Sequence, residues 1–128
     1  MANPFVPKVF VVDDDETICR ALERLLRSAG HSVETYTSAE QLLARSPLPE
    51  GSALVLDVRM PEISGPRLMQ ELAERHSSLR IFFITADDDV SIRKSVLAAG
   101  ACGWFTKPVD GESLLAAIGA PARKHEAR

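Results

Sequence analysis

Asp13 with Asp14, Asp57 and Thr85 each stand at the C-terminal end of an apolar run, and Lys107-Pro108 follows another. Single acids are common in any sequence, but this ordered set is not. If the runs are parallel strands of one sheet, their C-terminal ends share an edge, and residues far apart in sequence converge there. Carboxylates, a hydroxyl and an ammonium gathered in one crevice suit phosphoryl chemistry assisted by a divalent cation.

The elements that must carry these residues alternate. Val9-Phe10-Val11-Val12 reads as a buried strand. Ile18, Leu22, Leu25, Leu26 and Ala29 then recur at helical spacing, with Arg20, Glu23, Arg24 and Arg27 opposite and Gly30 as the stop. Ser32 to Tyr36 is a weaker strand, and Ser38 with Gln41 is spaced as a capping box for a short second helix closed by Pro47 and Pro49. Ala53 to Leu56 leads into Asp57, after which Gly65-Pro66 introduces a helix with Leu68, Met69, Leu72 and Ala73 on its inner face. Ile81 to Ile84 leads into Thr85, a fourth helix is expected over 88–99 ending at Gly100, a fifth strand over 102–106 and a last helix over 111–119. Five such cycles imply an α/β fold, a parallel sheet covered on both faces through right-handed crossovers.

The chain has 128 residues and 45% hydrophobic content, enough for one buried core and short for two. Fifteen basic against eighteen acidic side chains leave a net charge of −3 with no basic stripe, which argues against direct nucleic-acid binding by this domain. The one basic cluster is Arg123, Lys124 and Arg128. Cys19 and Cys102 lack metal or redox spacing and are expected as buried thiols in a reducing cytosol. Without a run of about 20 apolar residues or a leader pattern, the expectation is a cytoplasmic protein with no membrane contact.

Taken together, Val-Val-Asp13-Asp14-Asp15-Glu16, Leu-Asp57-Val58-Arg59-Met60-Pro61 through Gly65, Ile-Thr85-Ala86 and Lys107-Pro108 resemble the receiver domain of two-component response regulators. The wording around Asp57 is most similar to receivers that precede a helix-turn-helix output domain. The resemblance covers residues 8–118, leaving 1–7 as an N-terminal extension and 119–128 as a tail or the start of a linker. It implies a flavodoxin-like (βα)5 fold, a doubly wound five-stranded parallel sheet in the order 2-1-3-4-5. It also implies a signalling phosphoacceptor, not an enzyme acting on outside substrates, which catalyses only its own phosphorylation and slow dephosphorylation.

By that resemblance Asp57 is the phosphoacceptor, since a carboxylate can attack phosphorus and form an acyl phosphate. Mg²⁺, for which Mn²⁺ can substitute, is held by Asp14, Asp57 and the backbone carbonyl of Arg59, with Asp13 acting through water. Asp15 leaves the register of the acidic triplet ambiguous, and an acidic triplet before a helix, taken alone, is more often a cap. Thr85 is the sensor hydroxyl. Lys107 pairs first with Asp57 and then with the phosphate, and the Lys107-Pro108 bond is cis. Trp104 occupies the switch-aromatic position, where Tyr or Phe is usual; its bland alternative is a half-buried packing residue. Arg59 and Asp87 stand where side chains adjust hydrolysis and can pair across the pocket entrance, while Asp87-Asp88-Asp89 reads most economically as a helix cap.

His31, His76 and His125 lie outside these motifs, and none looks like a phosphodonor. The donor histidine is expected on a sensor kinase or phosphotransfer protein, docked near the first helix around Ile18. A homodimer through the fourth helix, fifth strand and fifth helix is the implied output, with Val90, Arg93, Lys94 and Leu97 as candidate contacts. A DNA-binding domain beyond residue 128 is the corresponding further expectation. Two rivals remain. One is a small Mg²⁺-dependent aspartate-nucleophile phosphatase using Asp13-x-Asp15, and the other is a receiver-like module that binds partners without phosphorylation.

Overall fold

A computed structural model describes residues 8–119. The expected N-terminal extension and basic tail cluster, with His125, lie outside the described residues. Five cycles follow one another: β1 (Lys8–Val12), α1 (Glu16–Ser28), β2 (Ser32–Tyr36), α2 (Ala39–Arg45), β3 (Ala53–Asp57), α3 (Gly65–Ala73), β4 (Arg80–Thr85), α4 (Val90–Ala98), β5 (Gly103–Thr106) and α5 (Gly111–Ile118). The strands form one sheet in the order β2-β1-β3-β4-β5, and every neighbouring pair is parallel. This is the flavodoxin-like arrangement that the sequence implied.

Successive strand residues point to opposite faces, so a strand covered on both sides must be apolar throughout. Val9 and Val11 join Val55, Ile84, Leu22, Leu26 and Leu114 in the layer beneath α1 and α5. Phe10 and Val12 join Leu54, Leu56, Phe83, Leu42 and Leu72 in the opposite layer, beneath α2, α3 and α4. Hence the three central strands read as continuous apolar runs, and their ends were easy to place.

Local signals set the helix starts. Asp15, Ser38, Ser64, Asp89 and Asp110 each accept a hydrogen bond from a backbone N–H in the following first turn. In the expected capping box Ser38 Oγ accepts from Gln41 N, but the Gln41 side chain reaches back one residue further, to Thr37 N at 3.0 Å. Gly30 and Gly100 follow α1 and α4 with positive φ, the left-handed turn that ends a helix without a Cβ penalty.

Four expectations need correction. The fourth helix starts at Val90, because Asp89 is its cap, and it buries only Val96. The fifth strand starts at Gly103, and Cys102 is exposed, not buried like Cys19. Ala73 is exposed: α3 turns Leu68, Met69 and Leu72 inward and ends there. Ile18 is half-buried against the α1 layer and offers less free surface than expected.

Candidate functional site

The sheet edge formed by the C-terminal ends of β1, β3, β4 and β5 brings the expected groups together. Carboxylate oxygens of Asp13, Asp14 and Asp57 all lie within 4.8 Å of one another. Asp13 is fully buried, Asp57 nearly so, and Asp14 exposed. The ambiguity of the acidic triplet is resolved by α1: Asp15 turns away to cap it, accepting from Thr17 N at 2.9 Å, while Asp13 Oδ1 accepts from Asp15 N at 2.9 Å.

Lys107 reaches into the cluster across a cis bond to Pro108. Its Nζ lies 2.9 Å from Asp13 Oδ2 and 3.4 Å from Asp57 Oδ1, so the closer partner is Asp13, not Asp57. The contact with Oδ2 lies off the hydrogen-bond direction, so that buried oxygen has an ionic partner but no hydrogen bond.

Burial pushes the Asp57 carboxyl up to about 6; the neighbouring Asp13 charge adds to this, and Lys107 offsets part of it. For Lys107, burial favours the neutral amine, but Asp13 and Asp57 outweigh it and hold the ammonium above its usual range. Three carboxylates, each with an oxygen within 4.8 Å of the others, offer the hard donors that a small divalent cation takes: Asp13, Asp14 and Asp57 could hold a metal ion.

Two loops frame the pocket. After β3, Val58 N donates to Ile84 O at 3.0 Å and Gly65 N donates to Val58 O at 2.9 Å, closing a loop that carries Arg59 beside the acids. Gly65, which the sequence offers both as a helix start and as the end of the motif after Asp57, has a steric reason to be glycine. A Cβ there would sit 2.3 Å from the Asp57 carbonyl oxygen, so only glycine lets α3 begin this close to the acceptor strand. Glu62, with φ +70, supplies the left-handed turn of the same loop.

After β4, the buried Thr85 hydroxyl donates to Asp87 O at 2.9 Å and accepts from Asp87 N at 3.1 Å. Arg59 Nη2 lies 3.5 Å from Asp87 Oδ2 and 3.6 Å from Asp89 Oδ2, all three side chains being solvent-accessible. Trp104 is half-buried, its ring centroid 6.3 Å from that of Phe83, and its indole N–H donates to Asp88 Oδ1 at 3.0 Å. That bond had no sequence signal beyond the acidic run itself.

Residues 9–119 match the family model of the response regulator receiver domain, and the chain belongs to that family. It is 39% identical over 110 residues to the response regulator protein TodT of Pseudomonas putida, covering 86% of this chain and 48% of that protein. It is 38% identical over 111 residues to the transcriptional regulatory protein FixJ of Azorhizobium caulinodans, covering 86% and 52%. The structure of the response regulator StyR superposes with a TM-score of 0.81 at 41% identity, covering 88% of this chain and 57% of that one. The chain thus spans about half the length of the curated relatives it matches. No helix among the described residues is long and apolar enough to cross a membrane.

Proposed function

We propose that this domain is a phosphoacceptor that takes a phosphoryl group onto Asp57 from the phosphohistidine of a sensor kinase or phosphotransfer protein. The observation that carries the proposal is the buried Asp57 carboxylate set between two further carboxylates and the half-buried Lys107 ammonium. In its ionised form the Asp57 carboxylate is the nucleophile. One of its oxygens bonds to phosphorus as the partner's N–P bond breaks, and the departing imidazole nitrogen keeps that electron pair.

Asp13, Asp14, Asp57 and the Arg59 carbonyl are the ligands proposed for Mg²⁺, with Asp13 acting through water and Mn²⁺ able to substitute. A bound Mg²⁺ supplies positive charge where the attacking and transferred oxygens crowd together. Lys107 follows the charge from the aspartate pair to the phosphate. Thr85, once freed from Asp87 O, donates to a phosphoryl oxygen, and Arg59 with Asp87 narrows the approach of hydrolytic water.

The chain's only transformations in this reading are its own phosphorylation and slow dephosphorylation. Relatives named as transcriptional regulators support a DNA-binding output domain beyond residue 128. The exposed apolar side chains of α4, Val90 and Leu97, support a homodimer through α4, β5 and α5 in the phosphorylated state. The phosphatase alternative loses ground because its proposed acid pair is split: Asp13 is buried against Lys107, and Asp15 caps α1.

Intact-mass measurement after incubation with a small acyl phosphate and Mg²⁺ tests the reading. One added phosphoryl group is expected in the wild type, lost on chelation and lost in Asp57→Asn. Uptake that survives Asp57→Asn and disappears in Asp13→Asn would instead support the phosphatase.

A further inference from the structure

The acidic run Asp87-Asp88-Asp89 reads in the sequence as a helix cap, yet only Asp89 caps, accepting from Ile92 N at 3.1 Å. Asp87 is held by the Thr85 hydroxyl from both sides of its peptide unit. Asp88 faces the other way: its Oδ1 receives the Trp104 indole N–H at 3.0 Å and lies 3.5 Å from Arg93 Nη1. Neighbouring residues of one loop therefore grip the hydroxyl at the pocket and the aromatic on β5.

We infer that Asp88 is a latch that holds Trp104 with its N–H at the surface in the unphosphorylated domain, and that release of the Thr85 hydroxyl opens it. The inference rests on the phosphoacceptor reading and adds the residue that joins its two switch side chains. A hydroxyl has one proton, so Thr85 cannot donate to Asp87 O and to a phosphoryl oxygen together. Recruiting that proton to the phosphate removes one of the loop's inner ties, and Asp88 is the next residue along the chain.

The latch acts where packing is only partial: Ile92 and Trp104 lie half-buried against the core. Val96 is the only residue that α4 buries. Of the two contacts on Asp88, the indole hydrogen bond dominates, because an exposed ion pair such as Asp88–Arg93 contributes little. Removing the acceptor is expected to lower the ratio of latched to released Trp104 roughly fivefold, which corresponds to about 1 kcal/mol.

Trp104 is the only tryptophan in the chain, so its emission, its acrylamide quenching and its single indole N–H resonance all come from this one side chain. Without phosphodonor, Asp88→Ala is expected to move all three toward the values that phosphorylation gives the wild type. Asp88→Asn, which keeps an acceptor oxygen but loses the charge facing Arg93, is expected to stay near the resting values. Asp88→Ala spectra that match the resting wild type overturn the latch, as does an Asp88→Asn variant that behaves like Asp88→Ala. Phosphoryl uptake is followed in parallel by intact mass. A wild type that gains the group while its Trp104 signals stay put overturns the latch and leaves the phosphoacceptor reading standing. Failure to gain the group overturns that reading, while the unphosphorylated comparison still decides whether Asp88 holds Trp104.

Discussion

The two edges of this sheet are secured by different means. At the β2 edge, one acid gathers three partners: Glu34 lies 3.0 Å from both Lys8 and Arg45 and accepts from the Tyr36 hydroxyl, while Arg45 also covers the Phe10 ring. At the β5 edge, the ties are pairs of accessible side chains such as Arg59–Asp87, 56% and 73% exposed, and Arg93–Asp88. The helix beneath that edge, α4, leaves Val90 and Leu97 48% and 43% exposed. Between the edges sit β1, β3 and β4, nearly all buried, with Asp13, Asp57 and Thr85 at their ends. The candidate site thus sits on the buried middle, with Lys107 reaching in from β5, and the more loosely tied edge is the one next to Thr85 and Trp104.

The largest expected effect comes from disturbing the middle. Gly65→Ala sets a methyl group 2.3 Å from a main-chain oxygen of the strand that carries Asp57. Neither backbone has a flexible end to give way, so the loop after β3 must shift, at a cost of about 3 kcal/mol in unfolding free energy. Urea titration checks the stability, and intact mass checks a parallel loss of phosphoryl uptake. Unchanged stability would mean that the middle yields as readily as the β5 edge, and the contrast would fail.

Much of this arrangement was legible in the sequence. Strands buried on both faces must be apolar from end to end, so Val9 to Val12, Ala53 to Leu56 and Ile81 to Ile84 announced themselves, and the polar residues following them marked one edge. The β5 edge was less legible for the same reason. With Val96 alone buried, α4 has no apolar stripe to fix its start, and its first turn was read two residues early. Cys102 sits next to apolar residues in sequence but ahead of the strand, where it is exposed. The closer approach of Lys107 to Asp13 and the need for glycine at 65 both arise where chain segments distant in sequence meet; neither is a local property of sequence.

An intermediate effect tests the β2 edge. Burial alone would raise the Glu34 carboxyl, but hydrogen bonds from Tyr36, Arg45 and Lys8 outweigh it and lower its pKa from 4.5 to about 2. A depressed carboxylate contributes stability above its unfolded pKa, and that contribution is lost as pH falls through 4.5 toward 2. Thermal melts of wild type and Glu34→Gln from pH 6 to pH 2 are expected to show a wild-type advantage that shrinks across that window. Because every other acid is common to both proteins, the difference isolates Glu34. An advantage independent of pH would assign the residue a packing role in place of a charged one.

The smallest effect on the fold is expected at the other edge, where it matters most for the output. Leu97 is 43% exposed, so Leu97→Ser forfeits only part of a buried side chain and should cost about 1 kcal/mol in unfolding stability. The same substitution takes away one of the two large apolar side chains that the described surface exposes. If α4, β5 and α5 form the phosphorylated dimer, sedimentation of the phosphorylated variant should show weaker self-association, with the fold and phosphoryl uptake retained. An unfolding cost of several kcal/mol would show that α4 is packed as firmly as the middle of the sheet, and self-association equal to wild type would move the dimer surface elsewhere. A helix that the fold can spare in this way is one whose position a few polar contacts near Thr85 are able to control.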